Sequence, residues 1–121
     1  RTLAKINYRI HTDAIKEHII PPELTKKQIQ YIYASEADVL NMAMFGKTAK
    51  QWRDENPEVK GNIRDYSSIE QLLVLANLES MNSEFISMGM EQNERLKKLN
   101  HIAIKQMKSL AQNTNIRKLK E

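Results

Sequence analysis

The sequence predicts an all-α fold, a compact bundle of about five helices that ends in an antiparallel helical hairpin. Three observations lead to this prediction. Only 3 Gly and 3 Pro occur in 121 residues, and they separate long stretches in which apolar residues recur at helical spacing. Residue pairs typical of helix N-termini precede three of these stretches. Because 40% of the residues are apolar and 28% are charged, we expect one globular domain over residues 1–110, followed by a polar, basic tail over residues 111–121.

The first two helices are predicted from apolar periodicity and capping residues. One covers roughly residues 2–18, and its apolar face consists of Leu3, Ile6, Ile10 and Ala14. The proline pair at positions 21–22 ends it. Thr25 and Gln28 then fit a capping box, in which side chains satisfy free backbone amides, and open a helix that runs to Phe45. Ser35 is also a capping residue, so a break near Ala34 is an alternative.

A second capping box lies in the middle of the chain. Thr48 and Gln51 open a short helix that ends before Pro57. The preceding Gly46-Lys47-Thr48 resembles part of a phosphate-binding loop, but it follows a helix and lacks the upstream glycine, so we interpret it as a helix stop followed by an N-cap.

Ser67 and Glu70 open a fourth helix, predicted to end near Met88. Its apolar residues form two neighbouring stripes, so we predict that it is buried on most sides as the central core helix. The stripes are Val74, Leu78, Met81, Phe85 and Met88, and beside them Ile69, Leu72, Leu73 and Ala76.

The last helix is predicted from about Glu91 to Leu110. Gly89 permits a tight turn before it, so this helix is expected to pack antiparallel against the fourth. Its inward residues are Leu96, Leu99, Ala103, Met107 and Leu110. Glu91 with Arg95 and Glu94 with Lys98 have the spacing and polarity of surface ion pairs.

Basic charge is concentrated at the C-terminal end of the chain. Residues 1–90 carry 11 Lys or Arg and 12 Asp or Glu, whereas residues 91–121 carry 8 and 3, respectively. The outward face of the last helix holds Lys97, Lys98, His101, Lys105 and Lys108. This pattern is typical either of a solvated lysine-rich face or of a contact with nucleic acid or an acidic protein. A secondary basic patch is predicted from Lys47, Lys50, Arg53 and Arg64.

No residue pattern indicates catalysis, a metal site or a cofactor. Cysteine is absent, which fits a cytoplasmic protein and removes thiolate chemistry. The histidines lack metal-ligand spacing, and no serine lies in a nucleophile motif. Glu36 interrupts an apolar stripe, so it is either a site carboxylate or, as we favour, close to a helix N-cap or paired with a basic residue. The longest apolar run, residues 72–76, is too short to span a membrane.

Several segments together resemble one family. They are RTLAKINYRIHTDAI at residues 1–15, IPPELTKKQ at 20–28, YASEADVLNMAMFGKTAKQWRDENP at 33–57 and GNIRDYSSIEQLLVLANLES at 61–80. This order is similar to the region that follows the DNA-binding module in bacterial and phage-type KilA-N domain proteins. The resemblance implies an upstream KilA-N module, absent from these 121 residues, that engages DNA in a regulatory setting. It transfers no site residue to this sequence.

The expected function is therefore that of a non-catalytic accessory domain of a DNA-binding regulator. Such a domain acts by self-assembly, for example as a homo-oligomer, or by contact with a partner. The alternative is direct binding of double-stranded DNA through the basic face of the last helix. A small enzyme would instead require a convergent polar pocket.

Overall fold

The computed structural model describes residues 20–112, and within this range the chain is all-helical and has no β-strand. Five α-helices and one 3-10 turn follow one another: α1 (Lys26–Gln30), α2 (Glu36–Phe45), α3 (Ala49–Glu55), the 3-10 turn (Ile63–Tyr66), α4 (Ile69–Ser87) and α5 (Gln92–Gln112). The predicted all-α class is confirmed. The helix predicted for residues 2–18 lies outside the described residues, as does most of the predicted tail.

The single helix predicted between Thr25 and Phe45 is wrong, and the alternative break is confirmed. Ser35 caps α2 by accepting a hydrogen bond from the Asp38 amide. Two backbone groups between α1 and α2 bond to a side chain of α5. The side chain of Gln92 accepts from the Tyr33 amide at 3.3 Å and donates to the Tyr31 carbonyl at 2.9 Å. A distant side chain thus satisfies the groups that helix breakage leaves free.

The bundle is built around α5, which packs against α1, α2 and α4. All but one of its predicted inward residues are fully buried, and Leu110 is partly buried. The prediction that the fourth helix is the central one is therefore wrong. The buried apolar core consists of Leu24, Tyr33, Val39, Leu40, Met42, Ala43, Met44, Val74, Leu75, Leu78, Leu96, Leu99, Ala103 and Met107.

The predicted antiparallel hairpin is formed by α4 and α5. Gly89 adopts a left-handed φ of 78° in the connection, a conformation that glycine reaches without steric cost. The α4 N-cap lies one residue later than predicted, because Ser68 and Gln71 form the capping box. The Ser67 hydroxyl instead donates to the Ile63 carbonyl at 2.8 Å and closes the 3-10 turn.

The Gly46-Lys47-Thr48 segment is a helix stop and an N-cap, as interpreted from the sequence. Gly46 ends α2 with a left-handed φ of 72°, and a Cβ at this position would lie 2.7 Å from Pro22 Cγ. Thr48 and Gln51 then form the predicted capping box of α3. Trp52 of α3 is half-buried, and its ring lies 5.5 Å from that of Tyr66, so α3 is anchored to the 3-10 turn.

One buried amide links three parts of the chain. Asn100 on α5 donates to the Pro22 and Ala43 carbonyls, both at 3.0 Å, and accepts from the Leu24 amide at 3.2 Å. The Ala43 carbonyl lies in the last turn of α2, where carbonyl groups have no hydrogen-bond donor within their own helix. Asn100 thereby holds the start of the described chain and the end of α2 against α5.

Candidate interaction surface

The basic face of α5 comprises Lys97, Lys98, His101, Lys105 and Lys108, and all five side chains are exposed. They lie on the side of α5 that is opposite its buried residues, as helical periodicity requires. From Lys97 to Lys108 the face extends about 16 Å at 1.5 Å per residue. The predicted outward placement of these residues is confirmed.

The cations of this face are not neutralised by salt bridges among residues 20–112. The salt bridges in that range join Lys47 to Glu55, Arg64 to Glu79 and Arg95 to Glu36. The surface pair predicted between Glu94 and Lys98 is not among them. The four lysines concentrate positive charge on one side of α5, and this charge attracts anions.

The C-terminal half of the basic face borders a shallow groove of about 350 Å³. The groove is lined by Glu23, His101, Ile104, Lys105 and Lys108. In this lining, Glu23 is the acidic residue and Ile104 the apolar one. A groove of this shape admits an extended anionic side chain or a phosphate, but it does not enclose a small molecule.

The secondary basic patch does not form one continuous cationic surface. Lys47 pairs with Glu55 at 2.6 Å, and Arg64 on the 3-10 turn pairs with Glu79 of α4 at 3.1 Å. Lys47 and Lys50 border a cleft of about 580 Å³, whose lining also includes Asp54 and Glu55. Acidic groups thus offset the positive charge at most of these positions.

Glu36 is both close to an N-cap and paired, as favoured from the sequence. It is the first residue of α2, and its carboxylate accepts from Arg95 Nη2 at 2.7 Å and from Asn82 Nδ2 at 2.9 Å. Arg95 also donates through Nε to Asn82 Oδ1 and through Nη1 to the Met90 carbonyl. The surface pair predicted between Arg95 and Glu91 is wrong, because the guanidinium is buried and links α5 to α2 and α4.

Sequence reasoning also misplaced an apolar surface on α4. The second predicted stripe, Ile69, Leu72, Leu73 and Ala76, faces outwards, and we name it the α4 apolar row. Ile69 is 72% exposed, Leu73 52% and Leu72 40%. Residues 20–112 cover only the opposite face of α4, so within this part of the chain α4 is not buried on most sides as predicted. The apolar stripe is evident in the sequence, but it was predicted to lie in the core.

The described residues were also searched for metal-ligand clusters and for helices that could span a membrane. Between residues 20 and 112, no cluster of three His, Asp or Glu side chains is placed to hold a metal ion. None of the helices in this range is both long and apolar enough to cross a bilayer. The surfaces that stand out are therefore the basic face of α5 and the α4 apolar row.

Comparisons with known proteins add no assignment: no family model, curated protein or solved structure matches this chain.

Proposed function

We propose that this chain is a non-catalytic accessory domain of a DNA-binding regulator, and that it binds an acidic surface of a partner protein through the basic face of α5. The observation that carries this proposal is the row of four exposed lysines and one exposed histidine, none of which has a salt bridge to any described residue. The regulatory setting comes from the resemblance to proteins with a KilA-N module. Binding, not catalysis, fits a face that has no enclosed pocket.

The chemistry of the face favours charge recognition over the reading of DNA sequence. Its members are four lysines and one histidine. A lysine ammonium is a compact charge on a flexible stem, whereas base recognition in the major groove relies mainly on the paired donors of Arg, Asn and Gln. We therefore expect this face to contribute affinity and little specificity.

Direct contact with double-stranded DNA is the second candidate, and the length of the face favours it. A straight helix that presents cations over about 16 Å can contact several phosphates of one strand, which are spaced about 3.4 Å apart along the axis. Each phosphate contact makes the slope of log affinity against log salt concentration more negative by about 0.9. Four lysine contacts thus predict a slope of about −3.6.

Both candidates are tested by removing the lysines from the face. In the test variant, Lys97, Lys98, Lys105 and Lys108 are replaced by glutamine. In the matched control, the exposed lysines Lys26, Lys27, Lys50 and Lys60 are replaced by glutamine, which lowers the net charge equally. Fluorescence anisotropy measures binding to a polyglutamate peptide and to a DNA duplex of about 20 base pairs, over a series of salt concentrations.

The proposal expects weak, salt-sensitive binding to the polyglutamate peptide that the test variant loses and the control retains. Equal losses in the two variants would mean that net charge, not this face, governs binding. Binding to DNA with the predicted slope, but not to polyglutamate, would favour the second candidate. Nanomolar, sequence-specific DNA binding would contradict an accessory role.

A further inference from the structure

The α4 apolar row has no covering element among residues 20–112. Ile69, Leu72, Leu73 and Ala76 occupy positions i, i+3, i+4 and i+7, so they form one continuous stripe along the helix. The buried residues of α4 lie on its opposite side. A contiguous apolar stripe of this kind marks a place where another element packs, and its straight course along a helix fits a second helix.

The charges beside the row permit a second copy of the same helix. The Glu79 carboxylate is already paired with Arg64, whose Nη1 lies 3.1 Å from Oε1. Glu70 is partly buried and already interacts within its own chain. Glu84 lies two turns beyond Ala76, the last residue of the row. In an antiparallel pair centred on the row, the two Glu84 residues are about 35 Å apart along the helix axis, far beyond the Debye length of roughly 8–10 Å.

The row is complementary to itself when two copies of α4 run antiparallel. Around a two-fold axis midway along the row, Leu72 of one copy meets Leu73 of the other. Ile69, the most exposed of the three larger side chains, meets Ala76, the smallest member, so a protrusion faces a depression. Each apolar residue thereby covers an apolar residue of the other copy and removes it from water.

Other arrangements of the two helices match less well. If the axis passed through Ala76, the two leucines would face Ser80 and Glu79, and apolar side chains would then be covered by polar ones. A parallel pair would set each residue against its own copy. The two alanines would then leave a gap, because the longer side chains hold the helices apart. The residue types therefore select the antiparallel arrangement centred on the row.

The exposed area of the row fits a weak, reversible dimer. A fully exposed Leu or Ile side chain presents roughly 120 Å² of apolar surface. Ile69, Leu72 and Leu73, at 72%, 40% and 52% exposure, therefore present roughly 200 Å² per copy. Since somewhat over half of an interface is apolar, two copies bury at least about 700 Å² in total. This area lies in the range of weak, transient contacts and below the roughly 1,200 Å² at which stable complexes begin.

We propose that two copies of this chain associate through their α4 apolar rows, which run antiparallel about a two-fold axis between Leu72 and Leu73. The interface uses the same surface of both copies, so it closes after two copies and gives a dimer, not a filament. It lies on a different helix from the basic face of α5. The inference therefore stands whether or not that face binds an acidic partner.

Sedimentation equilibrium of the full chain tests the dimer and the surface that forms it. The weight-average mass is measured at concentrations from about 1 μM to about 1 mM, the range in which a weak dimer forms. Leu73→Glu places a carboxylate near the two-fold axis. Ile32→Glu is the matched control, because Ile32 is a more exposed apolar residue outside the row. Circular dichroism verifies that both variants remain helical.

We expect the mass of the unmodified protein to rise with concentration from that of one chain towards that of two. Leu73→Glu should raise the dissociation constant at least about tenfold, because burying an unpaired charge is costly, whereas Ile32→Glu should leave it unchanged. A mass of one chain at every concentration would overturn the proposal. Dimerisation that survives Leu73→Glu, or that Ile32→Glu also removes, would overturn it as well, because another surface would then be responsible.

Disulfide crosslinking tests the register of the two helices, since the chain has no native cysteine. Leu73→Cys places two thiols next to the two-fold axis, where a disulfide can form. In Ile69→Cys the two substituted residues lie about 10 Å apart along the helices, beyond the separation of roughly 7 Å between Cα atoms that a disulfide can bridge. Mild oxidation should therefore crosslink Leu73→Cys much faster than Ile69→Cys. Equal rates, or faster crosslinking at position 69, would overturn the antiparallel arrangement.

Discussion

The replacement Asn100→Ala tests the role of the amide that links three segments. Asn100 is 2% exposed, and its side chain makes hydrogen bonds to Leu24, Pro22 and Ala43. Truncation leaves one amide and two carbonyls without this partner, and each buried unpaired group costs about 1–3 kcal/mol. Because water reaches some of these groups near the surface, we expect the free energy of unfolding to fall by about 3–4 kcal/mol.

Urea denaturation followed by circular dichroism measures this loss, and Asn77→Ala is the matched control. Asn77 is exposed on α4 and makes one hydrogen bond, to Gln106 at 3.1 Å. Its truncation should cost under about 1 kcal/mol. If the two alanine variants differed by less than about 1 kcal/mol, Asn100 would not hold the segments together as argued.

Three further predictions concern stability and titration. Glu36→Ala should lower the free energy of unfolding by about 2 kcal/mol, because it leaves the buried Arg95 guanidinium without its anion. The loss is no larger because the Glu36 carboxylate is half exposed. In the same urea experiment, Glu94→Ala, at an exposed position on α5, should change the free energy of unfolding little. Gly46→Ala should lower the free energy of unfolding by about 2–3 kcal/mol, because the new Cβ contacts the Pro22 ring and the backbone is strained. Gly89→Ala should lower it by about 1 kcal/mol from backbone strain alone, because no atom lies within 4 Å of its Cβ position. Equal shifts of the melting temperature in the two variants would contradict this difference. Burial, with smaller contributions from Tyr31 and Asp38, raises the pKa of Tyr33 above 10.0. The stability that the neutral phenol contributes is therefore present below the pKa of the unfolded state, and it is lost as the pH rises through the pKa of the folded state. Tyr33→Phe should therefore remove a late phase from the tyrosinate absorbance titration, and an unchanged curve would contradict the assignment.

The candidate surface shows what periodicity can and cannot predict. The outward placement of Lys97, Lys105 and their neighbours follows from the 3.6-residue repeat of α5, whose inward residues are unambiguous. Arg95 was misplaced because the same repeat and the nearby Glu91 fit a surface ion pair equally well. Burial of its guanidinium depends on Glu36, 59 residues away in sequence. A local pattern does not contain that information.

The sequence alone determined the N-cap at Thr48 and the glycine turns at Gly46 and Gly89. These features are local, because capping and left-handed turns involve only residues a few positions apart. The all-helical class likewise follows from periodicity and sparse Gly and Pro. Tertiary structure decided which break the chain takes near Tyr33, which helix lies at the centre, and which apolar face of α4 is buried. These outcomes depend on contacts between distant segments, such as that of Gln92 with the backbone at Tyr33. An apolar stripe specifies that a face can be buried, but only the arrangement of the other helices decides what covers it.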